Sequence, residues 1–328
     1  MLGRSTKAML ILTFLFVAVF VASLDDQYRQ FPQRPPDNSP TRVKHELLSF
    51  NATHCYIGIS GYSLKSVSIY YCRIGNGSRT GIILGGLHGN EPQGTLVCLA
   101  LLSRLSSLSD ELEYTLVVVP LCNPDGAILF QDPQSQAQNN PSFGRYNADG
   151  VDLNRDFYDF TQPETQSIKR LLDIFRPSLL IDIHECRGNS PILIFGTNEL
   201  SKSLSEYFVT KTNLPAAPAA EVGQSANYAS HAGMAGMILE LPRNNDLEAG
   251  TSYVWQLIQC WVESNPQAAP RVRGPYELVE FSDNFERNNS EPLQQLYLGL
   301  TFGKKASLQS GPCLGWQKRC RGHYSRVP

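Results

Sequence analysis

His88 and Glu91 stand three residues apart in Gly85-Gly86-Leu87-His88-Gly89-Asn90-Glu91-Pro92, and His184 closes the run Leu179-Leu180-Ile181-Asp182-Ile183. Two imidazoles and one carboxylate make a zinc site that keeps one position for water. Hydrolysis with such a water also needs a base for its proton and a positive group for the oxyanion. Glu240, in Met237-Ile238-Leu239-Glu240-Leu241-Pro242, fits the base, because a carboxylate in an apolar strand is costly unless it meets a cation or does chemistry. The bland alternative for Glu240 is an ion pair with Arg243. Arg145 supplies the positive group. Asn154 and Arg155, in Gly150-Val151-Asp152-Leu153-Asn154-Arg155, combine an amide with a planar guanidinium, a pairing that grips a substrate carboxylate. Taken alone, that stretch also reads as an exposed charged loop, and a lone His-x-x-Glu as a surface contact.

These residues need a frame that brings them together. Residues 80–84 form an apolar run read as a buried strand, so His88 and Glu91 leave its carboxyl end, where open α/β sheets keep their ligands. Further strands are read over residues 66–73, 114–119, 178–183, 191–195 and 237–241. Helices are read over 93–105, 163–175 and 253–264, the second opening on Pro163-Glu164 with Pro177 beyond its end. The alternation predicts an α/β fold: a mixed, largely parallel central sheet with helices on both faces. There is no internal repeat.

The 328 residues, 42% of them hydrophobic, suffice for one large core, or for one core plus a small appendage, and a net charge of −2 gives no sign of nucleic acid as a partner. Arg4 and Lys7 precede an apolar stretch from Ala8 to Ala22, followed by small residues, so residues 1–23 read as a secretory signal. The alternative is an uncleaved signal anchor, although the stretch is short of the ~20 residues that span a bilayer comfortably. Residues 24–45, with Pro32, Pro35, Pro36 and Pro40, read as a Pro-rich leader, 46–266 as the catalytic domain, and 267–328 as an extension. Its end carries six Lys or Arg after Gly303 without an acid, read as a solvated tail or as a weak contact for anionic polymers.

Export places eight cysteines in an oxidising compartment. Cys55 with Cys72 and Cys313 with Cys320 are candidates for pairing, while Cys98, Cys122, Cys186 and Cys260 read equally well as small buried hydrophobes. Asn51, Asn76 and Asn288 head glycosylation sequons.

The ordered succession Gly-Gly-Leu-His-Gly-Asn-Glu-Pro, Asn-Pro-Asp-Gly, Arg145 before Gly-Val-Asp-Leu-Asn-Arg-Asp-Phe, Asp-Ile-His and Leu-Glu-Leu resembles the zinc metallocarboxypeptidase superfamily over roughly residues 65–262. The resemblance implies that His88, Glu91 and His184 hold one zinc ion per chain. It also implies that Asn154 and Arg155 bind the terminal carboxylate, that Arg145 polarises the scissile carbonyl and that Glu240 is the general base. Tyr228 is the candidate for the family's mobile substrate tyrosine, with simple packing as its alternative. Glu185 departs from the small or neutral residue usual after the zinc histidine. Strand alternation turns it away from His184, and a pair with Arg187 is expected. His231 reads as structural, and His45, His54 and His323 have no acidic or histidine partner at ligand spacing.

The expectation is a secreted zinc-dependent carboxypeptidase acting on a peptide or peptide-like substrate with a free carboxylate, without a membrane span once the signal is removed. Asn-Pro-Asp-Gly and Gly-Val-Asp-Leu-Asn-Arg favour that branch over the related succinylglutamate desuccinylase and aspartoacylase branch, whose members cleave N-acyl amino acids. A third reading is a secreted binding protein that keeps the fold without turnover.

Overall fold

Four apolar runs, Arg79–Gly85 (β3), Tyr114–Val119 (β4), Leu179–Cys186 (β5) and Ala235–Pro242 (β8), lie side by side as parallel strands in the order β4-β3-β5-β8. They are rich in Ile, Leu and Val and buried on both faces, the composition expected at the centre of a parallel sheet. Antiparallel pairings extend this centre: Ser68–Ile74 (β2) against β4, Cys55–Tyr62 (β1) against β2, and Ile192–Phe195 (β6) against β8. Ala216–Pro218 (β7) lies beside β6 and brings the sheet to eight strands among the described residues. The computed structural model describes residues 36–50, 55–109, 111–133, 142–186, 188–244 and 246–264. The signal segment, leader residues 24–35, Asn51, His54, Arg187 and the extension 267–328 lie outside the described residues.

Strand alternation sorts the side chains into two cores. Ile83, Leu116, Val118, Ile181, Ile183, Met237 and Leu239 face a layer made by Pro40–Ser49 (α1), Pro92–Ser106 (α2), Glu199–Thr212 (α5) and Leu247–Ser264 (α7). Ile82, Leu84, Val117, Val119 and Leu180 face Phe157 and Pro163–Phe175 (α4). Helices therefore cover both faces, as expected. Among the described residues no helix is long and apolar enough to cross a membrane.

The leader expected through residue 45 ends earlier. Ser39 caps α1 through Arg42 N, Val43 and Leu47 bury their side chains, and Asn38 Nδ2 donates to Gly89 O at 3.0 Å. A prolinated stretch that looked polar thus contributes a helix to the core, with Pro40 at its first turn where the missing N–H costs nothing.

Candidate active site

The turn after β3 delivers the first two ligand candidates. Gly86 takes a φ of +58°, and a Cβ there would meet Leu121 Cδ1 and Thr95 Oγ1 at 2.7 Å, so the turn requires glycine. Beyond it, Glu91 occupies the N-cap of α2 but does not cap it. Its carboxylate turns instead to the imidazoles. Glu91 Oε1 lies 2.9 Å from His88 Nδ1, and Oε2 lies 2.9 Å from His184 Nδ1 and accepts from Glu185 N at 3.1 Å. The two Nδ1 atoms face each other at 3.0 Å. All three side chains are buried.

The far nitrogen of each ring rests on a further carboxylate: His88 Nε2 on Asp152 Oδ1 at 3.0 Å, and His184 Nε2 on Asp182 Oδ2 at 2.9 Å. This is the carboxylate–histidine pairing that fixes tautomer and ring orientation at metal sites. With Nε2 of a neutral ring protonated toward its carboxylate, Nδ1 presents a lone pair. Two such lone pairs and the Glu91 oxygens then point at one another, an arrangement that a cation satisfies and that is repulsive otherwise. Ligands about 2.0–2.1 Å from a tetrahedral zinc stand ~3.3 Å apart, close to the separations here. The chain's own residues fit the ion.

Electrostatics agree. Burial alone would lower the His184 pKa, but the Asp182 and Glu91 carboxylates beside it hold the ring well above its ordinary value. Burial alone would raise Glu91 and Asp152, yet Glu91 is held below the usual carboxylate range by His88 and His184, and Asp152 by His88 and Arg145. The site selects positive charge.

Asp152 and Asp182 were not singled out from the sequence, although Asp-Ile-His carries a signal: period-two alternation puts Asp182 and His184 on one face of β5. Ser225, at the start of the helix Ser225–His231 (α6), donates its hydroxyl to Asp182 Oδ2 at 2.6 Å and its backbone N–H to Asn154 Oδ1 at 2.9 Å. Asn154 Nδ2 lies 3.5 Å from His184 Nε2, so one clamp candidate sits beside the ligands. It belongs to a single 3-10 turn, Leu153–Arg155, capped by Asp152 Oδ1 on Asn154 N at 3.0 Å.

Arg155 continues from that turn, donates to Asn154 O at 2.8 Å and forms an ion pair with Glu221. Arg145 is brought in by Asn123, which caps the helix Pro124–Gln131 (α3) through Gly126 N and donates from Nδ2 to Arg145 O at 3.2 Å. Its guanidinium bridges Glu91 Oε1 at 3.0 Å and Asp152 Oδ2 at 3.1 and 3.3 Å. Those contacts leave donors of the five-donor fork free for a further oxygen.

Glu240 pairs with His184 in the parallel register of β5 and β8, so the two side chains share a face. Burial raises its pKa. It has no hydrogen-bond or ion-pair partner among the described residues. The alternative pairing with Arg243 is not made, because Arg243 Nε donates to Glu185 Oε2 at 3.1 Å. The pair expected between Glu185 and Arg187 lies outside the described residues; among them, Glu185 meets Arg243. Glu185 does turn away from His184, and burial pushes its pKa up to about 7.

Tyr228 takes the packing alternative. It lies in α6 with its ring 4.9 Å from Phe160 and 5.8 Å from Tyr158, and Phe157 at 6.3 Å, in a cluster on the α4 side of the sheet. His231 stacks near Tyr158 and His45 is exposed on α1; neither joins the site.

Comparison with known proteins is consistent with this geometry. Residues 51–182 match the family model described as zinc carboxypeptidase. Over that stretch, about 40% of its length, the chain is similar to the zinc carboxypeptidase family. The zinc carboxypeptidase match takes in His88, Glu91, Arg145, Asn154 and Arg155 and ends short of His184 and Glu240. Carboxypeptidase 2 of Trichophyton tonsurans is 31% identical over 139 residues, which are 40% of this chain and 22% of that protein. The chain therefore spans about a fifth of the length of that relative. The metallo-carboxypeptidase structures from Burkholderia cenocepacia and Pseudomonas aeruginosa share the zinc carboxypeptidase fold. The first has a TM-score of 0.54 and 14% identity, covering 68% of this chain and 67% of that one. The second has a TM-score of 0.55 and 16% identity, covering 68% of each.

Proposed function

We propose that this chain is a secreted zinc-dependent metallocarboxypeptidase, hydrolysing the amide bond next to the free terminal carboxylate of a peptide or peptide-like substrate. The main support is the convergence of His88, Glu91 and His184 on one point beside a half-buried Glu240 without a hydrogen-bond partner among the described residues. His88 Nδ1, His184 Nδ1 and the Glu91 carboxylate would hold the metal. Bound there, zinc supplies an acidified water and a Lewis acid for the carbonyl.

The protein's side chains do the rest. Glu240, its pKa raised by burial, takes the proton of the attacking water and returns it to the leaving amine. Arg145, held by Asp152 and Glu91, directs its remaining N–H groups to the carbonyl oxygen as charge develops there. Asn154 and Arg155 receive the terminal carboxylate, which replaces Glu221 on the Arg155 guanidinium. That exchange costs little, since both partners of the existing pair are substantially exposed. Secretion is supported by the signal-like residues 1–23.

The test is turnover of a dipeptide panel with free termini beside the same peptides amidated at the carboxyl end, and beside N-acyl amino acids. Turnover of the free peptides, with Arg155→Ala raising KM about 10-fold or more, is expected. Activity confined to N-acyl amino acids would move the chain to the deacylase branch, and equal turnover of amidated peptides would remove the carboxylate clamp.

A further inference from the structure

Glu185 follows a ligand in the chain yet faces the opposite side of β5, where only 8% of its surface is accessible. Its carboxylate is committed on both oxygens. Oε1 accepts from Gln93 N at 2.9 Å, and Oε2 accepts from Arg243 Nε at 3.1 Å. The same guanidinium donates through Nη2 to Asn90 O at 3.2 Å, and Gln93 Nε2 returns a hydrogen bond to Arg243 O at 3.1 Å. These contacts close a ring around the segment that carries Glu91. Through its backbone, Glu185 also donates to Glu91 Oε2 at 3.1 Å.

The ring joins three pieces of chain with nothing local in common. One is β5, which delivers His184. The second is the turn after β8, which follows Glu240, and the third is the turn from His88 to Gln93. An ion pair with one partner buried is a poor source of net stability, because desolvating the carboxylate offsets much of the attraction. What it supplies is direction: two oxygens and a planar fork define where Asn90 and Gln93 must stand, and hence where Glu91 stands between them. Residues outside a metal's ligand set commonly act this way.

We propose that Glu185 and Arg243 are positioning residues of the metal centre, clamping residues 90–93 onto β5 and β8 so that His88 and Glu91 meet His184 at ligand spacing. This rests on the zinc reading above.

The experiment measures the zinc dissociation constant of the full chain by competition with a chromophoric chelator, alongside the Tm of the metal-free protein. Parent, Glu185→Gln, Arg243→Ala and the double variant are compared. Each single change is expected to weaken zinc binding about 10- to 100-fold, with the double variant no weaker than the worse single, because both break one ring. Hydrolysis lost at limiting zinc should return when zinc is raised to saturation. Variants that bind zinc as the parent does, even with a lowered Tm, overturn the positioning role while leaving the zinc reading intact. If Glu185→Gln fails to fold, Arg243→Ala decides alone, since the arginine side chain is 56% exposed and the Glu185 carboxyl left behind keeps its hydrogen bond from Gln93 N. A parent that binds no zinc overturns both readings together.

Discussion

Replacing Gly94 by alanine sets helix propensity against packing, and the two disagree in sign. Gly94 lies in the first turns of α2, where the helix crosses β5. Propensity alone favours alanine by about 1 kcal/mol in a helix interior. The structure forbids it, because a Cβ at this position would stand 2.4 Å from Ile183 O and 3.0 Å from Gly86 N. Carbon and carbonyl oxygen approach ordinarily to about 3.3 Å, so α2 must withdraw by roughly 0.9 Å from rigid backbone. Overpacking of this kind costs about 3 kcal/mol at the upper end of its range, leaving a net loss of about 2 kcal/mol. For a domain of this size that lowers Tm by about 4–8 °C. The same withdrawal carries Glu91, at the N-cap of α2, away from both imidazoles, and a misplacement near 1 Å costs about 100-fold in rate. Thermal unfolding of the metal-free protein gives the first quantity and kcat/KM on a free-carboxylate dipeptide the second. A Gly94→Ala protein with a raised Tm and parent activity would refute the close crossing of α2 and β5.

Three further predictions concern other parts of the molecule. Glu240→Gln keeps the shape of the base and removes its proton affinity. It should lower kcat by about 100- to 10,000-fold while zinc content stays at the parent level, and a fall in zinc content would reassign Glu240 to the ligands. Burial would raise the Asp156 pKa from its ordinary 3.8, but hydrogen bonds from Thr165, Thr161 and Gln162 outweigh it and hold the carboxyl lower. A lowered folded pKa means stability that is full above about pH 3.8 and is lost as pH falls through the folded value. The Tm deficit of Asp156→Asn should therefore be largest near neutral pH and shrink below about pH 4, and a deficit independent of pH would contradict the sign. Cys55 and Cys72 bring their sulfurs to 3.0 Å across the antiparallel β1–β2 pair. Protein from an oxidising compartment should be lighter by two hydrogens and lose ~3 kcal/mol on reduction, whereas free alkylation of both thiols without reductant would count against the bond.

The parts of this fold readable in the sequence were those whose pattern is local. β3, β4, β5 and β8 announce themselves as apolar runs with a stop, and α4 by its proline and its spacing. The ligands were readable because each leaves the end of such a run, so parallel register brings His88, His184 and Glu240 to one sheet edge. β1, α1 and α5 were obscured by polar or mixed composition, and their burial comes from neighbours far along the chain. Glu185 shows the limit most clearly. Its turning away from His184 follows from alternation, but its partner stands 58 residues on, across a strand pairing that no spacing rule reports. Cys98, Cys122 and Cys260 are buried as small hydrophobes, which their apolar surroundings had indicated. The packing of Tyr228 is not legible in residues 225–231 themselves. Its aromatic neighbours, Phe157, Tyr158 and Phe160, come from a different segment.

The central claim is that His88, Glu91 and His184 hold a zinc ion that this chain uses for hydrolysis. Zinc content of the purified protein beside His88→Ala, with hydrolysis of free-carboxylate dipeptides in the same preparations, tests it most directly. About one zinc per chain, lost together with activity in the variant, is the predicted result. A parent that stays metal-free and inactive after incubation with zinc would contradict it.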